Sequence, residues 1–515
     1  FSELPASWID YSGFDVMLIS LDKLSVLKRD QAPQWKAICD WLHSGGNLIV
    51  YDSGKRWTDL AQVEQLVDFT ASSNRPASET DPVKRGWALP PDSLRSQAQL
   101  LGPDVTEPER ARDVPASDAS FVTRPCGLGL LTAIPSEESI SDASYPWYWL
   151  FNTIGANRWQ WSRRWGVSLY QNNDDFWNFL IPGVGLVPVF QFQVLITLFV
   201  VLLGPVSYYL LRSWGKLNLM VLTVPAGALV ATGALLLYAL IADGLNVRVR
   251  ARSYTLLNQR SGDAACWARL SYYAGLAPPG GLKFADDTAV IPLQPQSMAN
   301  DEQPVRVVDW RPLKSDNLNG PLEQNLASGW LDSRTPTQFI TARIRKCPEK
   351  LEIKPSADGG APQIVNHLGT AVKQLLLVDE NSKCFNASDL AIDAAITLKS
   401  AESQSVVMKE QIEPLLDAKP AGADTIISGN HAPSFFGFNR DRHYAMGIKG
   451  YPPPQPVSNN PGILGRSLED VRKAARDNSL PPKTYVAVVE LSPEVQLGTP
   501  AAKPEESLHV IVGQW

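Results

Sequence analysis

The sequence predicts three parts in order: an α/β module on a parallel sheet, a two-helix transmembrane hairpin, and an all-β, sandwich-type region. Three observations carry this. Residues 14–51 read as strand, helix, Gly-Gly, strand. Val189–Leu211 and Leu217–Ile241 are apolar runs without one charged residue, joined by only five residues. Beyond residue 244, short alternating runs are separated by turn clusters such as Pro278-Pro279-Gly280-Gly281 and Asp316–Gly320.

The first part, residues 1–180, opens with Phe14–Ser20, a mostly apolar run of buried-strand type. Helical spacing follows through Trp35, Ile38, Cys39 and Leu42, with Pro33 near its start. Gly45-Gly46 stops that helix, and Asn47–Tyr51 is a second buried strand. This is a βαβ unit, which requires a parallel pair and a right-handed crossover. A further amphipathic helix is expected from Thr58 to Phe69. Residues 71–120 are polar and rich in Pro, Ser, Asp and Arg, the composition of a long insertion.

Asp52 and Ser53 follow the second strand, at the carboxyl edge where open α/β sheets bind ligands. A capped turn is the other reading of the pair. From Tyr145 to Phe179 the chain carries twelve aromatics in 35 residues, including Trp147, Trp149, Trp159, Trp161, Trp165 and Trp177. Trp and Tyr gather at bilayer interfaces, because the ring is apolar while its N–H or O–H reaches water. The strip is therefore expected at the membrane surface or against a partner, with a small-ligand platform as a third reading.

Residues 181–243 form the anchor. Each apolar run exceeds the roughly 20 residues needed to cross a bilayer core as a helix. The joint, Arg212-Ser213-Trp214-Gly215-Lys216, admits only a tight hairpin, so both flanking parts are expected on one side. Its two cations and absent acids place the joint, with Trp214, in the cytoplasm and the rest outside it. The basic alternation of Arg248, Arg250 and Arg252 argues the other way, but long folded segments translocate largely regardless of charge. Neither run holds an ionisable residue, which argues against a pump or proton-coupled transporter.

In residues 244–515 the strand-like runs are Val247–Tyr254, Cys266–Tyr273, Val305–Val308, Phe339–Ile344, Gln374–Val378, Ala394–Leu398, Tyr485–Leu491 and His509–Val512. Together they predict one or two β-sandwiches. A helix is expected at Leu468–Arg476, with Ser467 as N-cap and Asp470 completing a capping box. Tyr451–Pro456 reads as a stiff extended segment.

The stretch LPASWIDYSGFDVMLISLDKL…WKAICDWLHSGGNLIVY resembles the class I glutamine-amidotransferase-like fold. That fold occurs in bacterial membrane proteins where a similar W-x-x-x-GG-x-L-(I/V)-V unit precedes an anchor. IPGVGLVPVFQF…GPVSYYLLR and DGLNVRVRARSYTLL are likewise similar to proteins of planctomycete-type bacteria. The resemblance covers residues 1–70 and 180–285. It implies an α/β fold and brings no assigned activity. Active amidotransferases set a nucleophilic Cys on a G-x-C-x-G turn, whereas here Asp52-Ser53-Gly54-Lys55 follows the second strand. Cys39 is expected on a helix, and Cys126 lies in Arg124-Pro125-Cys126-Gly127-Leu128-Gly129, a different arrangement.

Composition narrows the function. A net charge of −6 gives no basic field for nucleic acid. The five cysteines have no zinc spacing, and the five histidines form no H-E-x-x-H or H-x-H pair. His431, Asp441 and His443 are the nearest approach to a metal set. In an oxidising compartment, Cys347 and Cys384 are the candidate disulfide; five small buried thiols are the alternative. No catalytic, metal or cofactor residues are expected. The start at Phe1, without Met or a signal peptide, predicts processing or a longer precursor. The expectation is a non-enzymatic scaffold or accessory subunit of a bacterial inner-membrane assembly, with the bilayer and other envelope proteins as partners. A ligand-binding sensor and a loop-assembled hydrolase or glycan-modifying enzyme are the alternatives.

Overall fold

The computed structural model describes residues 4–68, 78–90, 119–136, 144–167, 176, 179–182, 189–215, 217–243, 246–293, 305–312, 322–354, 360–418 and 462–515. It is a mixed helix and sheet structure with parallel-containing sheets and many strands. The insertion outside residues 78–90 and 119–120, Trp177, the His431–His443 set and Tyr451–Pro456 lie outside the described residues.

The first layer contains β1 (Val16–Ser20), α1 (Leu21–Asp30), α2 (Ala32–His43), β2 (Asn47–Tyr51), α3 (Leu60–Val67), β3 (Val122–Cys126), β4 (Gly129–Ala133) and α4 (Ser144–Ile154). β1 pairs with β2 in parallel, Val16 opposite Asn47, so the expected βαβ unit is present. Its crossover holds two helices rather than one. Ser20 starts the first, its Oγ accepting from the Lys23 N–H at 3.3 Å. Gly45 ends the second at φ +125°, a conformation an L side chain rarely adopts. The sheet order is β1-β2-β4-β3, with β3 antiparallel at the edge. Leu48, Val50, Leu131 and Ala133 belong to one core cluster with residues of α1, α2 and α3. Ile49 meets Leu150 and Ile154 of α4 in another, so helices cover both faces.

The helical segment consists of α5 (Val189–Val201), a π-helical turn at Leu202–Val206, α6 (Ser207–Ser213) and α7 (Met220–Asp243). Pro205 lies in the π turn; lacking an N–H, it breaks the regular helical ladder there. Gly227 of α7 leaves room for the Leu203 side chain, so the two helical stretches touch. Two spans were the expectation. Among the described residues one stretch, Ile196–Ser213, is long and apolar enough to cross a membrane, and a second apolar stretch, Met220–Gly233, follows it.

The remainder is organised by one ten-stranded sheet. Its strands are β5 (Val247–Asn258), β6 (Asp263–Ala274), β8 (Thr288–Leu293), β11 (Thr337–Lys346), β14 (Val372–Val378), β15 (Cys384–Leu390), β17 (Lys399–Ser400), β18 (Thr484–Val489), β19 (Ala502–Pro504) and β20 (Leu508–Gln514). The order is β17-β15-β14-β18-β20-β5-β6-β11-β8, with β19 alongside the start of β5. β5 takes both β20 and β19 in parallel. Two three-stranded sheets pack on one face. One holds β7 (Leu282–Ala285), β9 (Val307–Pro312) and β10 (Leu322–Ser328); the other holds β12 (Lys350–Lys354), β13 (Gln363–His367) and β16 (Ala395–Thr397). Each buries its own cluster against the large sheet, Leu282 and Phe284 in one and Leu351 and Ile364 in the other.

The opposite face carries the first layer. Tyr254, Trp267, Ile340, Val486 and Val510 belong to the same cluster as Leu24, Ile38, Trp41 and Leu42. Trp267 Nε1 donates to the Ser44 carbonyl at 2.7 Å, and Trp8 Nε1 to the Asp287 carbonyl at 3.1 Å. The two soluble parts, expected as separate modules, therefore share one core. A helix, α8 (Gly462–Arg476), completes it. α8 starts five residues before Ser467, so the expected capping box lies inside the helix. Gly462 sits against the Trp165 backbone at φ +60°, where no Cβ fits. Close approach, not capping, selects that residue.

Candidate functional site

Ser53 is fully buried. Its N–H donates to the Ile134 carbonyl at 3.0 Å, its Oγ to the Val50 carbonyl at 3.2 Å, and its own carbonyl accepts from Asp59 N–H. Asp52, at φ +60°, turns the chain. Both residues build a closed turn. The strand order β1-β2-β4 runs one way, without the reversal that opens a crevice at a sheet edge. The Ser53 hydroxyl expected at a ligand edge is thus already used by the backbone, the arrangement of the capped-turn reading.

Cys39 and Cys126, weighed in the sequence only as nucleophiles, converge with His43 beneath α3. His43 Nε2 lies 2.8 Å from the Val67 carbonyl, Cys126 Sγ 3.1 Å from the same oxygen, and Cys39 Sγ 3.7 Å from the Leu66 carbonyl. A carbonyl only accepts, so the His43 ring carries its proton on Nε2. These groups satisfy carbonyls that the helix end leaves open. Burial lowers the His43 pKa to about 4. Burial also raises the Cys39 pKa well above that of an ordinary thiol, with Cys126 adding to the effect. A neutral thiol beside a neutral imidazole is the reverse of an activated thiolate pair.

A polar seam crosses the outer face of the large sheet between its two apolar clusters. Ser253 Oγ and His509 Nδ1 lie 2.7 Å apart, both residues fully buried. This is a Ser–His contact without a carboxylate partner on Nε2, which is buried with no hydrogen bond among the described residues. Burial lowers the His509 pKa to about 4. No substrate reaches it, so its role is packing. Further along, Arg345 forks onto Glu494 with both contacts at 2.7 Å, and Cys347 Sγ donates to Glu349 Oε2 at 3.1 Å.

Cys347, Glu349 and Glu494 bring three metal-type donors within 4.8 Å of one another. Arg345 already supplies the positive charge there, and burial, first, then the two carboxylates hold the thiol in its neutral form. The arrangement is an ion-pair network. The expected disulfide is corrected too: no disulfide links any of the five cysteines. Cys347 packs in the cluster under β12-β13-β16, while Cys384 belongs to the core on the opposite face of the sheet. A sheet separates the two sulfurs.

A cavity of about 190 Å³ lies at the Asn258 end of the large sheet, lined by Arg260, Pro482, Lys483, Thr484 and Trp515 among others. It is smaller than the ~300 Å³ at which ordinary small-molecule sites begin.

Of the described tryptophans in the strip, Trp165 is buried and Trp147, Trp149, Trp159 and Trp161 are half-buried. Trp165 is 3% exposed and packs tilted against Trp267 at 4.4 Å between ring centroids, with Trp161 behind it at 5.8 Å. Trp149 meets Phe121 edge-on at 5.4 Å; Trp147 stacks on Phe151 at 6.1 Å, and Trp159 meets Phe151 at 5.9 Å. Trp165 is turned into the protein rather than toward a surface. Trp267 pairs with Tyr254, seven residues along β5 from Val247, where the chain leaves the anchor. At about 3.3 Å per residue that is about 23 Å. Trp214 differs from the strip: it is 65% exposed at the end of α6.

Much of the exposed apolar surface among the described residues belongs to the helices. Leu198, Val200, Tyr209, Val221, Leu222, Leu229 and Val230 are all exposed, and the stretch Ile196–Ser213 is only 6% buried at a mean hydropathy of 1.5. No family model matches the sequence, and no curated protein is significantly similar to it.

Proposed function

We propose that the chain is a membrane-anchored, non-catalytic scaffold or accessory subunit of a bacterial envelope assembly. One observation carries the anchoring: the only described stretch of crossing length turns its apolar side chains outward, away from a protein core that is complete without them. Because the segments before and after the helices share one core, both belong on the same side of the membrane. This favours a hairpin in which α7 returns through the bilayer. The exposed Arg212 and Trp214 at the joint favour a cytoplasmic turn and an extracytoplasmic body.

A scaffold is favoured over an enzyme because each described candidate nucleophile is closed. Ser53 and Ser253 are fully buried in hydrogen bonds, and Cys39 is held as a neutral thiol. The first layer then keeps an amidotransferase-like frame as a packing element.

Gentle detergent extraction followed by native mass measurement tests the role: a stoichiometric multi-subunit assembly supports it, and a lone monomer sinks it. Sidedness is read by Trp214→Cys with a membrane-impermeant thiol reagent on intact cells. The native cysteines are all buried, so the signal is that of residue 214. Protection from outside is expected; ready labelling reverses the topology.

A further inference from the structure

The anchor joins the body at one end of the large sheet, where exposed apolar residues stand among polar ones. α7 closes at Asp243 and β5 begins at Val247, so at most about 14 Å of chain separates them. Val247 pairs with Ala274 at the end of β6, and Gly275 N–H donates to the Asn246 carbonyl at 3.3 Å. The next residue, Leu276, is 59% exposed. Its loop is tied to a second one, with Ala277 N–H donating to Ser333 Oγ at 2.8 Å and Arg334 N–H to the Ala274 carbonyl at 2.6 Å. That second loop carries Trp330, whose Nε1 donates to the Val307 carbonyl at 3.1 Å. Val305, which precedes β9, is 81% exposed beside Gly329, and Arg306 lies over the Trp330 ring at 5.7 Å.

We propose that this lip, formed by Leu276, Val305, Val307 and Trp330, is embedded in the headgroup layer of the bilayer, so that the body is seated on the membrane. The inference rests on the anchored reading above. The occupant is a lipid surface because the lip is continuous with the point where the chain leaves the anchor. Its chemistry is that of an interfacial contact, with aliphatic side chains, an indole and an arginine side by side. A tethered contact needs little intrinsic affinity, since the anchor has already brought the surfaces together. Exposed apolar residues elsewhere on the body, such as Phe14 and Ile392, lack that continuity.

Bimane-labelled single cysteines in the full chain, reconstituted in vesicles with brominated phosphatidylcholine, test this. Leu276→Cys and Val305→Cys report the lip, Leu198→Cys the span, and Lys346→Cys the far end of the same sheet. Lys346 pairs with Asp263, eleven residues from Ala274, about 36 Å along the strand. Bromolipid is expected to cut the fluorescence at 198, 276 and 305 roughly twofold and to leave 346 unchanged. Quenching at 198 without quenching at 276 and 305 overturns the seated lip and leaves the anchor standing. Quenching at 346 equal to that at 305 overturns it as well, because the body then lies on its side. Absence of quenching at 198 overturns the anchor reading itself.

Discussion

The seam between the first layer and the large sheet and the surface of α5–α7 use the same vocabulary of Leu, Val, Trp and Tyr in opposite ways. At the seam, Trp41, Trp165 and Trp267 are each under 4% exposed, and the Trp267 and Trp8 indole N–H groups cross it to the Ser44 and Asp287 carbonyls. On the helices, Val221 is 82% exposed and Leu229 76%. Aliphatic surface at that density is unfavourable in water, so the two regions call for different surroundings. One is solvated by protein; on the anchored reading proposed above, the other is solvated by lipid.

The sharpest way to break this comparison is at the seam. Trp267→Ala removes the ring contact with Trp165 and the hydrogen bond to Ser44, and is expected to cost about 3–5 kcal/mol. Chemical unfolding of the detergent-solubilised chain measures it. A loss below 1 kcal/mol, or independent melting of residues 4–68, is incompatible with a shared core.

The polar seam should be nearly as sensitive. Glu494 is 3% exposed at its side chain and depends on the Arg345 fork. Arg345→Met is expected to cost about 3 kcal/mol, since it strands a buried carboxylate. Adding Glu494→Gln should return part of that, and a double-mutant cycle in denaturant reads the coupling.

Acid should weaken the core through His43 and His509, each lowered from 6.5 to about 4 by burial. Above pH 6.5 both states are neutral and nothing is lost. Between pH 6.5 and 4 the unfolded chain takes up protons that the folded chain refuses, so stability falls as pH falls. The loss should approach about 3 kcal/mol per histidine. Thermal unfolding from pH 7.5 to 4.5 measures it, and His43→Gln should flatten the slope by about half.

The smallest effect is expected on the helices. Val221→Ala in detergent should change body stability by less than about 0.5 kcal/mol, whereas Val486→Ala, 1% exposed, should cost about 2 kcal/mol. Equal losses would erase the distinction between the two surfaces.

Local pattern made much of the fold legible. β2 falls at Asn47–Tyr51 as its apolar run and flanking Gly-Gly predict, and each strand run expected after residue 244 overlaps a strand, though three of them run past its ends. The helix breakers Gly45 and Gly46 mark the right turn because backbone sterics are local. What misled was environment. Twelve aromatics before a span look the same whether they face headgroups or a neighbouring sheet, since each offers apolar bulk with a polar rim. The carbonyl cluster of His43, Cys39 and Cys126 gave no signal, its members standing up to 87 residues apart along the chain.

By itself the sequence determined where elements start and stop, which runs are apolar, and that one segment carries no charge for a bilayer to reject. Periodicity and turn chemistry act over a few residues, so one chain suffices to read them. The tertiary structure alone decided what each apolar face meets. It set β5 parallel to β20 across more than 240 residues, put Cys347 and Cys384 on opposite faces of one sheet, and turned Trp165 inward onto Trp267. A period of two or 3.6 says that a side is buried; the partner comes from burying all such sides at once, and only the packed chain resolves that.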